Sequence, residues 1–116
     1  MKGSLGDHAR LNHIIDAINE VEKYLTDIDL QEFMENSMVR FACIKQLEII
    51  GEAANHLSDE LKDFYHQVSW RQIIGLRNIL VHEYFGIDSE VVWNILENDL
   101  PEFKREIVKI ISASAD

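Results

Sequence analysis

Apolar residues return at intervals of three and four along nearly the whole chain, and no stretch of useful length alternates apolar with polar. Intervals of three and four put side chains on one face of a helix, whereas a half-buried strand needs a period of two. The pattern predicts an all-α fold. Leu11, Ile14, Ile15, Ile18, Val21 and Leu25 mark a first helix over about 8–26, with Asp7 placed to cap it. After the break "TDIDL", the segment 37–57 sets Cys43, Leu47, Ile50, Ala54 and Leu57 four and three apart, a seam of heptad type. Phe41, Ala42, Ile44, Ile49 and Ala53 make its other sides apolar too, so this helix is expected to be covered on more than one side, as the central helix or as a dimer contact.

Ser58 opens "SDELKDFYHQ" as a cap candidate for a short helix or turn. Ser69 stands three before Gln72, the capping-box spacing, and predicts a helix over 70–81 that buries Trp70, Ile73, Ile74, Leu80 and Val81. Gly75 within it either allows close backbone approach or is a weak point. Gly86 reads as a stop and Asp88 as a start, leading to Val92, Trp93 and Leu96 on one side of the next helix. At Pro101 the last helix restarts or kinks, its buried stripe being Leu100, Phe103, Ile107, Ile110 and Ile111, and "SASAD" frays. With one proline, five glycines, no repeat and no linker-like stretch, residues 1–116 are expected to form a single domain, a four- to five-helix up-down bundle.

A hydrophobic content of 47% and a charged content of 28% exclude the disordered class. The lone cysteine cannot form an internal bridge and no signal-peptide pattern opens the chain, so a reducing cytoplasm is the expected location. No apolar run reaches the roughly 20 residues that span a bilayer. The net charge of −10 weighs against nucleic-acid binding, which ordinarily uses a basic face. A local basic cleft can nevertheless coexist with an acidic exterior.

The stretch "RNILVHEY" carries the strongest candidate chemistry. Five arginines and five histidines in 116 residues supply about 0.2 Arg-x4-His pairs by chance, so on spacing alone Arg77 is a solvated helix residue and His82 a cation near a helix C-terminus. Five residues along a regular helix amount to roughly 140° and about 7.5 Å, so the two side chains converge only if the helix ends or distorts before His82. Were they to converge, the chemistry would be specific. Cleavage of RNA by its own 2′-hydroxyl needs a group that exchanges a proton near neutral pH, and imidazole has an unperturbed pKa of about 6.5. It also needs a fixed positive charge for the phosphorane, and guanidinium can hold two phosphate oxygens at once. Such a reaction requires no metal or other cofactor. It does need both a base and an acid, which a two-fold homodimer would supply from two copies of His82.

The stretch "SWRQIIGLRNILVHEYFGIDSEVVWNILENDLPEF", together with "LEIIGEAANHLS" upstream, resembles the HepT-like branch of the HEPN domains, helical ribonuclease toxins with an Arg-x4-His-x-Tyr signature. The resemblance covers most of residues 41–103. It implies a homodimer whose two signature segments line one cleft and cleave RNA without metal, Arg77 contacting the phosphate and His82 transferring protons. It further implies a partner, a minimal nucleotidyltransferase antitoxin that silences the toxin by attaching AMP to the signature tyrosine, here Tyr84. An added phosphate and adenine there would occupy the substrate's place and compete for Arg77. An alternative of a different class is a non-catalytic helical binding partner of a nucleotidyltransferase.

Other residues are weighed beside these. Glu52 in "IIGEAA" lies where a carboxylate is not buried unless paired, and it is a candidate partner for an arginine near the cleft. Glu52 and Asn78 are the candidates for cleft support, Gly51 is read as a close helix approach, and Lys45, Arg40 and Arg71 are candidates for added positive charge. His82-Glu83 begins like a zinc-protease motif, but Gly86 stands where the second histidine belongs, so no metal site is expected. His8, His13, His56 and His66 read as surface or helix-terminal residues, Cys43 as a small core residue, and Trp70 and Trp93 as core anchors.

Overall fold

The computed structural model describes residues 4–82 and 88–114, with side chains over 6–77 and 88–113. Its order is α1 (Ser4–Tyr24), α2 (Leu30–Glu35), α3 (Ser37–Asn55), α4 (Asp59–Phe64), α5 (Trp70–His82), α6 (Ser89–Asn94), a π-helical turn (Ile95–Asp99) and α7 (Leu100–Ser114). No strand occurs among the described residues. The all-α expectation holds, with α1, α3, α5 and α7 as the long helices of the bundle. α3 lies between α1 and α5, α7 packs against α1, and α2 joins α3 to α6.

The periodic residues make the core. Leu11, Ile14, Ile18 and Val21 of α1 share one buried cluster with Cys43, Leu47, Ile50 and Ala54 of α3 and with Phe103, Ile107 and Ile110 of α7. Each fully buried aliphatic side chain there contributes about 1.5–3 kcal/mol. α5 joins through Trp70, whose Nε1 donates to the Tyr65 carbonyl at 3.0 Å. The Trp70 ring meets Phe103 edge-on, centroids 6.0 Å apart, which ties the start of α5 to α7. α3 is thus the central helix, though its outer face leaves Met38 and Phe41 exposed.

Local signals explain most boundaries. Ser58 caps α4, its hydroxyl accepting from the Leu61 N–H at 3.1 Å, and Asp88 caps α6 through the Glu90 N–H at 2.9 Å. Asp7 departs from its expected role, because α1 already begins at Ser4. Its carboxylate instead accepts from the Ser58 N–H at 2.8 Å and hydroxyl at 2.6 Å, pinning α1 to the α3–α4 junction. α2 was not foreseen in the sequence: six residues with a single buried side chain, Phe33, carry no measurable period. At Pro101 the helix neither stops nor restarts. The preceding turn widens, with the Leu100 N–H reaching the Ile95 carbonyl, which accommodates a residue that cannot donate to position 97. Among the described residues of the chain, nothing lies within 4 Å of where a Gly75 Cβ would stand, so no close helix approach occurs there.

Candidate functional site

α3 and α5 meet at Gly51. A Cβ there would stand 3.0 Å from the Arg77 Cβ, 3.1 Å from the Ile73 carbonyl oxygen and 3.3 Å from the Arg77 nitrogen, so the missing side chain is what lets the helices come together. The crossing sets Glu52, the next residue, beside Arg77, and Arg77 Nε pairs with Glu52 Oε2. The other carboxylate oxygen lies 2.9 Å from His56 Nε2, one helical turn on. All three side chains are substantially exposed, so the pairing adds at most about 1 kcal/mol to stability. Its consequence is orientation. A guanidinium held at Nε still presents its terminal nitrogens, and that fork matches two phosphate oxygens.

These residues line a groove of about 580 Å³ between α1, α3 and α5. Its basic residues are Arg10, Lys45 and Arg77, joined by His13 and His56, against the carboxylates Glu48 and Glu52, with Ala9, Ile49 and Ala53 as apolar lining. Three lysines and arginines to two carboxylates inverts the ratio of the whole chain, 11 to 21. A local basic cleft therefore exists in an acidic protein.

The sequence candidates separate on this geometry. Arg77 and Glu52 come together, and Lys45 lines the same groove. Arg40 does not, because its guanidinium donates to the Phe33 and Met34 carbonyls at 3.1 and 2.6 Å and so satisfies the end of α2. Arg71 is exposed and does not line the groove. Sequence reasoning missed Arg10 and His13, which only tertiary packing brings opposite α3. It also assigned no role to His56, although its position four residues after Glu52 signals a pair on one helix face.

The helix expected over 70–81 is observed as Trp70–His82, and the end or distortion that would let Arg77 and His82 converge within one chain does not occur before His82. α5 stays helical through His82, since neither glycine nor proline lies between Arg77 and His82 to interrupt the ladder. In one chain the two backbone positions therefore differ by about 140°. The side chains of Asn78 and His82 lie outside the described residues, as do Tyr84 and Gly86 entirely. Cys43 is fully buried, and burial pushes its thiol up to about 11, which leaves it a core residue without nucleophilic character. Among the described residues no three His, Cys, Asp or Glu side chains gather as metal ligands, and no helix is long and apolar enough to cross a membrane.

Comparison with known proteins adds to this geometry. Residues 14–110 match the family described as Ribonuclease HepT-like. The chain is 42% identical over 99 residues to "Putative RNase MJ1380" of Methanocaldococcus jannaschii, covering 85% of this chain and 91% of that protein. It is 34% identical over 110 residues to "Probable ribonuclease HepT" of Thermococcus cleftensis, covering 95% and 98% respectively. "Putative RNase TTE0752" of Caldanaerobacter subterraneus is 30% identical over 101 residues, 87% of this chain and 90% of its own. No solved structure matches.

Proposed function

We propose, from the premise that this chain belongs to the Ribonuclease HepT-like family, that it is a metal-independent endoribonuclease acting as a homodimer. The observation that carries the reading is the Arg77–Glu52 pair, which holds a guanidinium at the edge of a locally basic groove in an otherwise acidic protein. The backbone positions of Arg77 and His82 differ by about 140° along a regular α5, which supports the reading that a second copy completes the site. In the dimer, one His82 takes the proton from the 2′-hydroxyl as its oxygen attacks phosphorus. The P–O5′ bond breaks, His82 of the partner subunit protonates the leaving oxygen, and a 2′,3′-cyclic phosphate remains. Arg77 neutralises the charge that accumulates on the phosphorane oxygens.

The same reading makes the protein the toxin of a toxin–antitoxin pair in the cytoplasm. Its partner is a nucleotidyltransferase antitoxin that attaches AMP to Tyr84, placing a phosphate and an adenine two residues from His82. The test is RNA cleavage in EDTA by the parent and by His82→Ala. The parent should cut and the variant should not. Cleavage that requires a divalent ion, or that survives the substitution, overturns the mechanism, and partner binding with no cleavage would leave a binding module.

A further inference from the structure

We propose that the groove on either side of Arg77 seats the nucleotides flanking the cleaved bond, with Arg10 and His13 toward one end and Lys45 toward the other holding the RNA backbone. The proposal rests on the reading of the chain as acting on RNA. Three observations carry it. Arg10 and His13 are three apart on α1 and so project as neighbours, and the Asp7–Ser58 contact sets them toward the C-terminal end of α3, at the opposite end of the groove from Lys45. Between them Ala9, Ile49 and Ala53 form an apolar lining, against which a base or sugar can lie while the phosphate meets the cations. Lys45 and Glu52 are seven residues apart on α3, about 10 Å along the helix, so Lys45 extends positive charge along the groove beyond the Arg77–Glu52 pair, on the side opposite Arg10.

The charges of this seat are available to a ligand. Lys45, itself largely exposed, reaches Glu48 only at 3.7 Å, a contact that costs little to exchange for a phosphate. The helices beneath are rigidly packed, as Leu11 and Ile14 of α1 and Leu47 and Ile50 of α3 are buried in the core. A phosphate held there would fix the register of the strand at Arg77, so the seat would act on binding in the ground state as much as in the transition state.

The experiment uses the His82→Ala chain, so that binding is read without cleavage, and a labelled single-stranded oligoribonucleotide titrated at salt from about 50 to 200 mM. Adding Arg10→Gln and Lys45→Gln together should weaken binding about tenfold and reduce the slope of log affinity against log salt by about 1.4, two phosphate contacts on a single strand. A matched pair, Lys23→Gln with Lys109→Gln, removes the same charge from exposed positions outside the groove and should change neither reading. Equal effects from both pairs, or none from either, overturn the seat. Cleavage by chains with His82 intact separates the two readings. A parent that cuts RNA while the groove pair binds normally retires the seat alone. A parent that never cuts, with the groove pair still tenfold weaker, retires the nuclease and keeps the seat as an RNA-binding site.

Discussion

Two grooves flank α5, and they carry opposite charge. The one toward α1 and α3 presents Arg10, Lys45 and Arg77, while the one toward α7 presents Asp99, Glu102 and Glu106 with no lysine, arginine or histidine among the described residues. An anionic substrate is attracted to the first and repelled from the second, whatever the total charge of −10 implies for the molecule at a distance. The difference also has a packing origin. α3 approaches α5 so closely at Gly51 that a carboxylate and a guanidinium meet, whereas α7 touches α5 through the edge of an aromatic pair, Trp70 and Phe103, beside a smaller gap of about 160 Å³.

Arg77→Ala is the substitution expected to hurt function most. Loss of the fixed cation should lower RNA cleavage by about 10² to 10³-fold in a steady-state assay, with the helical signal unchanged. Glu102→Gln in the acidic groove should leave the rate within about twofold. If both variants lose activity alike, the two grooves are not functionally distinct.

Next in size is a pair of glycines that probes how close each neighbour of α5 stands. Gly51→Ala forces a Cβ to 3.0 Å from the Arg77 Cβ and should destabilise the fold by about 1–3 kcal/mol in denaturant titration. Activity should fall with it, because the crossing positions Arg77. Gly75→Ala meets open space on a helix interior and should instead stabilise by about 0.5–1 kcal/mol. A tolerated Gly51→Ala would show that the crossing can relax without disturbing the site.

Gly51 and Gly75 also show how far the sequence could be read. Both are glycines inside helical patterns, and nothing local distinguishes them; only the identity of the packed neighbour does, and that is set by tertiary structure. The long helices were legible because their buried residues repeat over several turns, as in Leu11, Ile14, Ile18 and Val21. Phe33 was not, since α2 is too short to show a period, and Arg10 and His13 looked like ordinary surface residues because what makes them a site is α3 opposite. Arg77 and His82 were found as a motif, whereas their convergence within one chain was conditional on a break before His82. α5 shows no such break, and only in the proposed dimer would a second subunit remove the need.

A smaller functional effect is expected at Glu52, which would act through Arg77. Glu52→Ala should reduce cleavage about tenfold, and in the Arg77→Ala background it should add nothing, because the group it orients is gone. Additive losses in that double-mutant cycle would mean that Glu52 acts on the substrate by another route.

The smallest effect belongs to the acidic groove. Burial raises the Glu106 carboxyl above its ordinary value and the neighbouring Glu102 raises it further, against the opposing pull of Lys109 and Arg105. A carboxyl with a raised folded-state pKa binds its proton more tightly in the fold than in the unfolded chain. Its contribution to stability is therefore present at acid pH and lost as pH rises through the folded-state value. Glu106→Gln is neutral at every pH, so it should flatten the stability profile of the parent over the carboxylate range and leave the variant slightly the more stable at neutral pH. RNA cleavage should be unaffected, since the Glu106 side chain lines the groove away from Arg77. Were the variant to lose cleavage without losing stability, negative charge on the α7 side would be part of the function, and the division between the two grooves would fail from its weaker side.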